Sequence, residues 1–299
     1  MQMASRNKVI QRSTAPPRAS AIRPGILLAR VRAGISWRRT AERVIGALVG
    51  FGLLVLAWWI AANYLGPERL PAPNDVASIM FRILSSSAAL QSQEASGGIG
   101  PGLAYSSEHV LLGVALGAAI GIFIGLMIGL SKVANEILSS AIEMIRAIPP
   151  LAAAPFFLIW FGTSGTGQLL LIAFYAAVMV VINARAAVLH LDPVHEAFAA
   201  TLGANWWQRV RTVVLPAFVP EVIGGIRVAL GFSWGIEVVA ELLGSQQGIG
   251  HDFVLLSTAL QVDEIIAAII WISVIAAVVD RLYLVMTAYF TRWVPARAQ

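Results

Sequence analysis

The sequence predicts an all-α, polytopic membrane protein with six transmembrane helices and both termini cytoplasmic. Three observations carry that expectation. Of 299 residues, 58% are hydrophobic and only 12% charged, about half the charge with which a soluble domain wets its surface, and the mean hydropathy is +0.77. Six apolar segments suit a hydrocarbon core about 30 Å thick. The basic residues fall almost entirely on one side of those segments.

The segments are Val44–Leu65, Glu108–Leu130, Ile148–Phe161, Gln168–Leu189, Ala217–Leu243 and Ile265–Ala288. The third is short, and Pro149-Pro150 interrupts the helix at its start, since proline lacks the amide N–H and clashes with the preceding turn. The stretch from Asn135 to Ala147 is expected to be a membrane-associated helix leading into it. With the N-terminus inside, eighteen of the 21 Lys and Arg residues lie in cytoplasmic segments or, as Arg185 and Arg281, toward the cytoplasmic ends of spans, Arg69 and Arg82 are outside, and Arg227 lies deeper within a span. That asymmetry is the positive-inside pattern.

Ten basic residues crowd the first 43 positions against the single acid Glu42. With Trp37 as the one aromatic there and no periodic apolar face, the tail is read as a membrane-proximal cytoplasmic segment near anionic headgroups, not a nucleic-acid arm. Arg38-Arg39 is not continued as a twin-arginine signal, and the run from Val44 is too long for a signal-peptide core. The organisation expected is a basic tail over 1–43, a transmembrane domain over 44–293 and a short cytoplasmic end over 294–299. The loop Gly66–Gly102, rich in Ser and Gly, is expected to hold a short amphipathic piece and a flexible linker.

Between the fourth and fifth spans, Asp192 is placed to cap a helix and Pro193 to begin it, with Glu196 early and Arg209 and Arg211 late, as the helix dipole favours. One cytoplasmic helix over about 192–211 follows. The second span carries Gly113, Gly117, Gly121, Gly125 and Gly129, a stripe along which another helix can approach closely. Gly224, Gly231 and Gly235 repeat the device in the fifth. That fifth span also holds Arg227, Glu237 and Glu241, costly at membrane depth unless paired or wetted. Either they line a solute pathway, with Arg227 attracting an anion, or Arg227 pairs with a neighbouring acid while the glutamates sit near the headgroups.

Catalytic patterns fail one by one. His195-Glu196 is followed by Ala199 where a zinc-protease helix needs histidine. Gly162-Thr163-Ser164-Gly165-Thr166 ends in Thr where the nucleophile elbow needs Gly. No phosphate-cradling loop occurs, the four histidines are scattered, and the absence of cysteine removes thiolate chemistry.

Several motifs in order then point to one family. Glu196-Ala197-Phe198-Ala199-Ala200-Thr201-Leu202-Gly203-Ala204 followed by Val214-Leu215-Pro216 resembles the coupling loop of ABC importer permeases, with the acid one residue early and Phe198 in place of alanine. Leu70-Pro71-Ala72-Pro73, Ala147-Ile148-Pro149-Pro150-Leu151, Trp160-Phe161-Gly162, Trp234 to Glu241, Gly248-Ile249-Gly250 and Asp280-Arg281-Leu282 are similar to the branch handling taurine, alkanesulfonates, nitrate and bicarbonate. The resemblance covers roughly residues 44–293. It implies a type I importer permease fold in the bacterial inner membrane, working by alternating access on a small anionic solute. It implies a second permease subunit (a homodimer), two cytoplasmic ATPases and an extracytoplasmic solute-binding protein. No cofactor is expected on this chain, with ATP and Mg held by the ATPases. On this resemblance the ATPase-coupling residues are Glu196, Ala197, Ala200, Leu202, Gly203, Ala204, Arg209, Leu215 and Pro216. The pathway candidates are Pro149, Pro150, Arg227, Trp234, Glu237 and Glu241, and the helix-packing glycines are the five of the second span with Gly231 and Gly235. The competing classes are an ion-coupled secondary transporter, which would show inverted repeats and coupling acids, and an intramembrane enzyme.

Overall fold

The computed structural model describes residues 37–93 and 97–291. The basic tail before Trp37 and the end after Thr291 lie outside the described residues. Thirteen α-helices follow one another, with no strand among the described residues. Among the described residues five are long and apolar enough to cross a membrane, or six where the bent pair counts as one span. The chain divides into two compact units at Ala57/Trp58.

The first long helix, α1 (Trp37–Leu65), is apolar from Val44 onward and exposes most of its side chains, Leu48, Phe51 and Leu54 among them. Such an all-round apolar surface is stable only in lipid or against another protein. The next segment departs from the expected flexible linker. Residues 73–92 form three short helices, α2 (Pro73–Ile79), α3 (Arg82–Ser85) and α4 (Ala88–Ser92). Val76, Ile83, Leu90 and Ile99 are buried there with Ile249, Leu256 and Ala267 in one apolar cluster. The Ser and Gly residues serve as caps and joints: Ser87 caps α4 and donates to Glu264 Oε2 at 2.5 Å, while its N–H bonds the Gly97 carbonyl at 2.6 Å. Trp58 and Trp271 donate indole N–H groups to the Pro71 and Met80 carbonyls, at 3.1 and 2.6 Å.

Helices α5 (Gly100–Leu130) and α8 (Gly165–Leu189) form the most extensive pair. The five glycines of α5 line this seam. A Cβ at Gly117 would fall 2.7 Å from Ala176 Cβ and collide with the Ala173 carbonyl. One at Gly121 would fall 2.7 Å from both the Ala177 carbonyl and Val180 Cβ. Here the backbones touch because no side chain intervenes. Between them run α6 (Lys132–Arg146), an amphipathic helix with no buried residue, and α7 (Pro150–Phe161), bent from it by 95°. Pro149 in extended conformation makes that corner. The third apolar segment is therefore two helices meeting at a sharp corner, not one straight helix.

The chain continues through α9 (Pro193–Thr201), α10 (Trp206–Arg209), a π-helical turn (Val210–Val214), α11 (Leu215–Leu242), α12 (Ile249–Thr258) and α13 (Val262–Phe290). Where one helix over about 192–211 is expected, two short ones stand, broken at Gly203. The glycines of α11 also differ from expectation. A Cβ at Gly224, Gly231 or Gly235 would meet nothing within 4 Å, so among the described residues that stripe packs no helix.

Gly121→Val should lower stability by about 1–3 kcal/mol through overpacking, seen as a lower melting temperature in detergent. Gly50→Val on α1, where a Cβ has open space, is the comparison. Equal melts for the two variants would show that α5 and α8 are not held at this distance.

Candidate functional site

At the N-terminal end of α11, the two short helices present a defined surface. Asp192 caps α9, its Oδ1 accepting the Val194 N–H at 2.9 Å, and Pro193 opens the first turn. Gly203 ends it at φ +81°. Its N–H bonds the Ala200 carbonyl at 3.0 Å and the Ala204 N–H bonds that of Ala199 at 3.1 Å. This is the Schellman closure, which asks for a left-handed residue and hence glycine. Asn205 and Gln208 then form a reciprocal capping box, at 2.9 and 2.8 Å, that starts α10. Val194, Phe198, Leu202, Trp206 and Trp207 are all exposed, and the two indoles stack at 5.4 Å. Ala197, Ala200 and Gly203 are exposed too, whereas Glu196, Ala204 and Arg209 are half-buried. Thus the expected coupling residues up to Ala204 sit on one small turn, with Arg209 beyond it.

The joint to α11 has its own cause. Pro216 has no N–H to give, and the Leu215 N–H reaches back to the Val210 carbonyl, one residue further than in an α-helix. Thr212 Oγ1 donates to the Gln208 carbonyl at 2.7 Å. Leu215 and Pro216 therefore mark a widened turn between the exposed helices and the membrane shaft.

Along α11 the pathway candidates separate. Arg227 makes a two-pronged bond to Asp280 of α13, Nε to Oδ1 at 2.7 Å and Nη2 to Oδ2 at 2.9 Å. Tyr283 fastens the same seam by donating to the Ile223 carbonyl at 2.8 Å. Arg227 thus has a neighbouring acid as partner, and both side chains of the pair stay partly exposed. The interval of seven residues does not give Arg227, Trp234 and Glu241 a common environment, because each level of α11 meets different neighbours, Asp280 of α13 beside Arg227 and Ser106 and Gly250 beside Glu241. Arg227 is exposed while Trp234 and Glu241 are buried.

Glu241 is 1% exposed. Its Oε1 accepts from Ser106 Oγ of α5 at 2.6 Å, and its Oε2 accepts from the Gly250 N–H at 2.8 Å. Ser106 Oγ in turn accepts from the Ile249 N–H at 3.0 Å. The two residues together satisfy two of the free N–H groups that open α12, so one carboxyl ties the C-terminal end of α11 to α5 and α12. Gly248, at φ +95°, and Gly250 leave room for it, since a Cβ at either would strike the Glu241 side chain. Glu237, one turn earlier, is wholly buried without a well-formed hydrogen bond, and the group it faces is the Glu241 carboxyl. Pro149 forms the corner before α7, and Pro150 borders a cavity of about 410 Å³ between α7, α8 and α11. The pathway candidates are thus spread over an ion pair, a cap, a corner and a cavity wall.

Sequence reasoning missed Ser106, Asp252, Tyr175 and Ser233. For Asp252 a signal existed, an acid in the first turn after Gly248-Ile249-Gly250. Asp252 is 3% exposed, its Oδ2 lacks a hydrogen-bond partner, and burial pushes its carboxyl up to about 7. It therefore takes a proton more readily in the folded chain than in the unfolded one, where its value is about 3.9. Wild type should lose stability relative to Asp252→Asn as pH rises from about 4 to about 7, and the difference should level off above that. Parallel melting curves across this range would contradict the burial of an ionisable group at this position.

Comparison with known proteins places this geometry. Residues 117–294 match the family described as binding-protein-dependent transport system inner membrane component. The taurine transport system permease protein TauC of Escherichia coli is 29% identical over 249 residues, covering 82% of this chain and 89% of that protein. The putative aliphatic sulfonates transport permease protein SsuC of the same species is 30% identical over 245 residues, 81% of this chain and 89% of the relative. The nitrate import permease protein NrtB of Synechococcus elongatus is 27% identical, covering 77% and 84%. Among solved structures, an amino acid ABC transporter superposes with a TM-score of 0.52 at 20% identity, over 64% of this chain and 92% of the other, a likeness of fold. The type I importer fold and the five or six apolar helices agree with a multi-pass inner-membrane component. The chain belongs to the inner-membrane components of binding-protein-dependent transport systems and is a permease subunit of an ABC importer.

Proposed function

We propose that two copies of this chain form a pathway for a small anionic solute, of the sulfonate or taurine kind or the nitrate or bicarbonate kind. The names of its relatives support that substrate range. The termini lie in the cytoplasm, a solute-binding protein delivers from outside, and two ATPase subunits holding ATP and Mg bind below. The chain itself catalyses nothing. The open glycine edge of α11, with Gly224, Gly231 and Gly235 facing no atom of the same chain, suits close approach of a second copy.

The observation that carries the coupling reading is the exposed turn from Val194 to Trp207, continuous through the π turn with α11. A surface of this kind, apolar side chains standing on two capped helices, suits seating in a partner. Because α10, the π turn and α11 form one run from Trp206 to Leu242, a push on the exposed turn is delivered to the shaft bearing Glu237 and Glu241. Alternating access follows if the ATPases move that turn. The family match does not favour an ion-coupled carrier or an enzyme.

Gly203→Val tests this. A branched residue at φ +81° costs about 1–2 kcal/mol, yet a Cβ there meets no atom within 4 Å, so the membrane core should stay folded. Co-purification of the ATPase should fall about tenfold, as that cost implies. Full retention of ATPase binding and of transport would overturn the assignment of this turn.

A further inference from the structure

Arg281 stands beside the α11–α13 ion pair without an acid of its own. The carboxylate next to it, Asp280, is already gripped by Arg227, Nε to Oδ1 at 2.7 Å and Nη2 to Oδ2 at 2.9 Å. Arg281 is exposed and makes no ion pair or hydrogen bond among the described residues. No other Lys or Arg occurs in α13, a helix long and apolar enough to cross a membrane. Arg227, Asp280 and Arg281 therefore leave one positive charge in surplus at this level. A guanidinium facing hydrocarbon without an anion is costly.

Arg281 borders a groove of about 410 Å³ whose other lining residues, Val274, Ala277, Val278, Leu282 and Val285, are apolar. They follow at steps of one, three and four, so they share one face of α13, and Ala277 makes a notch between the larger side chains. Val274, Val278, Leu282 and Val285 are exposed. From Val274 to Val285 the helix rises about 17 Å, close to the depth of one leaflet, about 15 Å. Arg281 stands about 6 Å from the Val285 end, a distance over which an arginine stem can carry its head toward the headgroups. Charge and shape together select the occupant. The groove has the length of an acyl chain in one leaflet, and the guanidinium fork matches two phosphate oxygens. A free phosphate would gain nothing from the carbon walls. A zwitterionic lipid brings its own ammonium to its phosphate, whereas an anionic lipid has charge left for Arg281. Two copies of the chain meeting through this face would bring two unpaired guanidinium groups into one apolar interface.

We propose that this face of α13 binds one anionic phospholipid, its acyl chain lying in the groove from Val285 to Val274 and its phosphate held by Arg281. The site goes beyond the importer reading and stands whichever solute is carried.

The chain has no cysteine, so Val274→Cys can carry a single fluorophore at the deep end of the groove. The test uses the labelled full-length chain in phosphatidylcholine nanodiscs, with brominated phosphatidylglycerol or brominated phosphatidylcholine as quencher. Phosphatidylglycerol should quench with about fivefold higher affinity, the worth of one lipid-facing cation. In this background Arg281→Gln should remove the preference and Arg281→Lys should keep part of it. Lys132→Gln, at an exposed cation of α6, should leave it intact. Ala277→Trp, which closes the notch, should weaken quenching by both lipids. Arg281→Gln should melt as its parent does in pure phosphatidylcholine, because it loses no bond to a described residue. Equal quenching by the two lipids in the parent would overturn the site, as would equal loss of preference in Lys132→Gln and Arg281→Gln, or undiminished quenching in Ala277→Trp. A label shielded from both lipids, the mark of a second copy seated on this face, would overturn it too.

Discussion

Close backbone contact between α5 and α8 is the constraint on which the rest of the molecule depends. Lipid tails are as apolar as leucine, so burial from water cannot hold two helices together inside a bilayer, and van der Waals contact has to. Gly113 to Gly129 let α5 lie on Ile172, Ala176, Val180 and Ala184 of α8 with no side chain between. Tyr175, Val180 and Ala184 extend the same core toward Phe218, Val222, Leu230 and Trp234 of α11. The shaft that carries both the exposed turn and the buried acids is therefore seated on a pair that cannot loosen without losing contact along its whole length.

Polar groups fix what the apolar seam leaves free. Each end of α11 is tied by a different device, and each device answers an unmet backbone need. At its start Pro216 withholds an N–H, and the π turn follows. At its end Glu241 and Ser106 take up the N–H groups opening α12. Midway, Arg227 and Asp280 fasten α11 to α13. The two-pronged Arg227–Asp280 bond and the Tyr283 bond to the Ile223 carbonyl hold α11 and α13 in register at that level.

How much of this could be read from the sequence follows from the range of the interactions. The spans were legible because hydropathy is a property of each segment alone, and the Asp192–Pro193 start and Gly203 stop of α9 because capping is local. The stripe of α5 was legible as a groove but not as a partner: nothing in Gly113 to Gly129 says that α8 fills it. The same pattern in α11 has no occupant within the chain, which spacing alone cannot distinguish. In the loop 66–102 the short amphipathic piece was legible but the extent of helix was not, because its Ser residues resemble a linker in composition, whereas their order comes from contacts such as Ser87 with Glu264, 177 residues apart. Arg227 required its partner to be found 53 residues on, although Asp280 was the lone acid deep in its span.

The acids at the C-terminal end of α11 show why a costly residue need not be a transport residue. Glu241 is buried, but its oxygens answer a hydroxyl and a helix N-terminus, and the glycines at 248 and 250 exist to admit it. Its burial is accounted for by structure. Glu237 and the hydroxyl of Tyr175 have no such account: both are fully enclosed and neither has a satisfied hydrogen bond. A fold that places caps and boxes this carefully elsewhere leaves two polar groups unmet on the helices that wall its cavity.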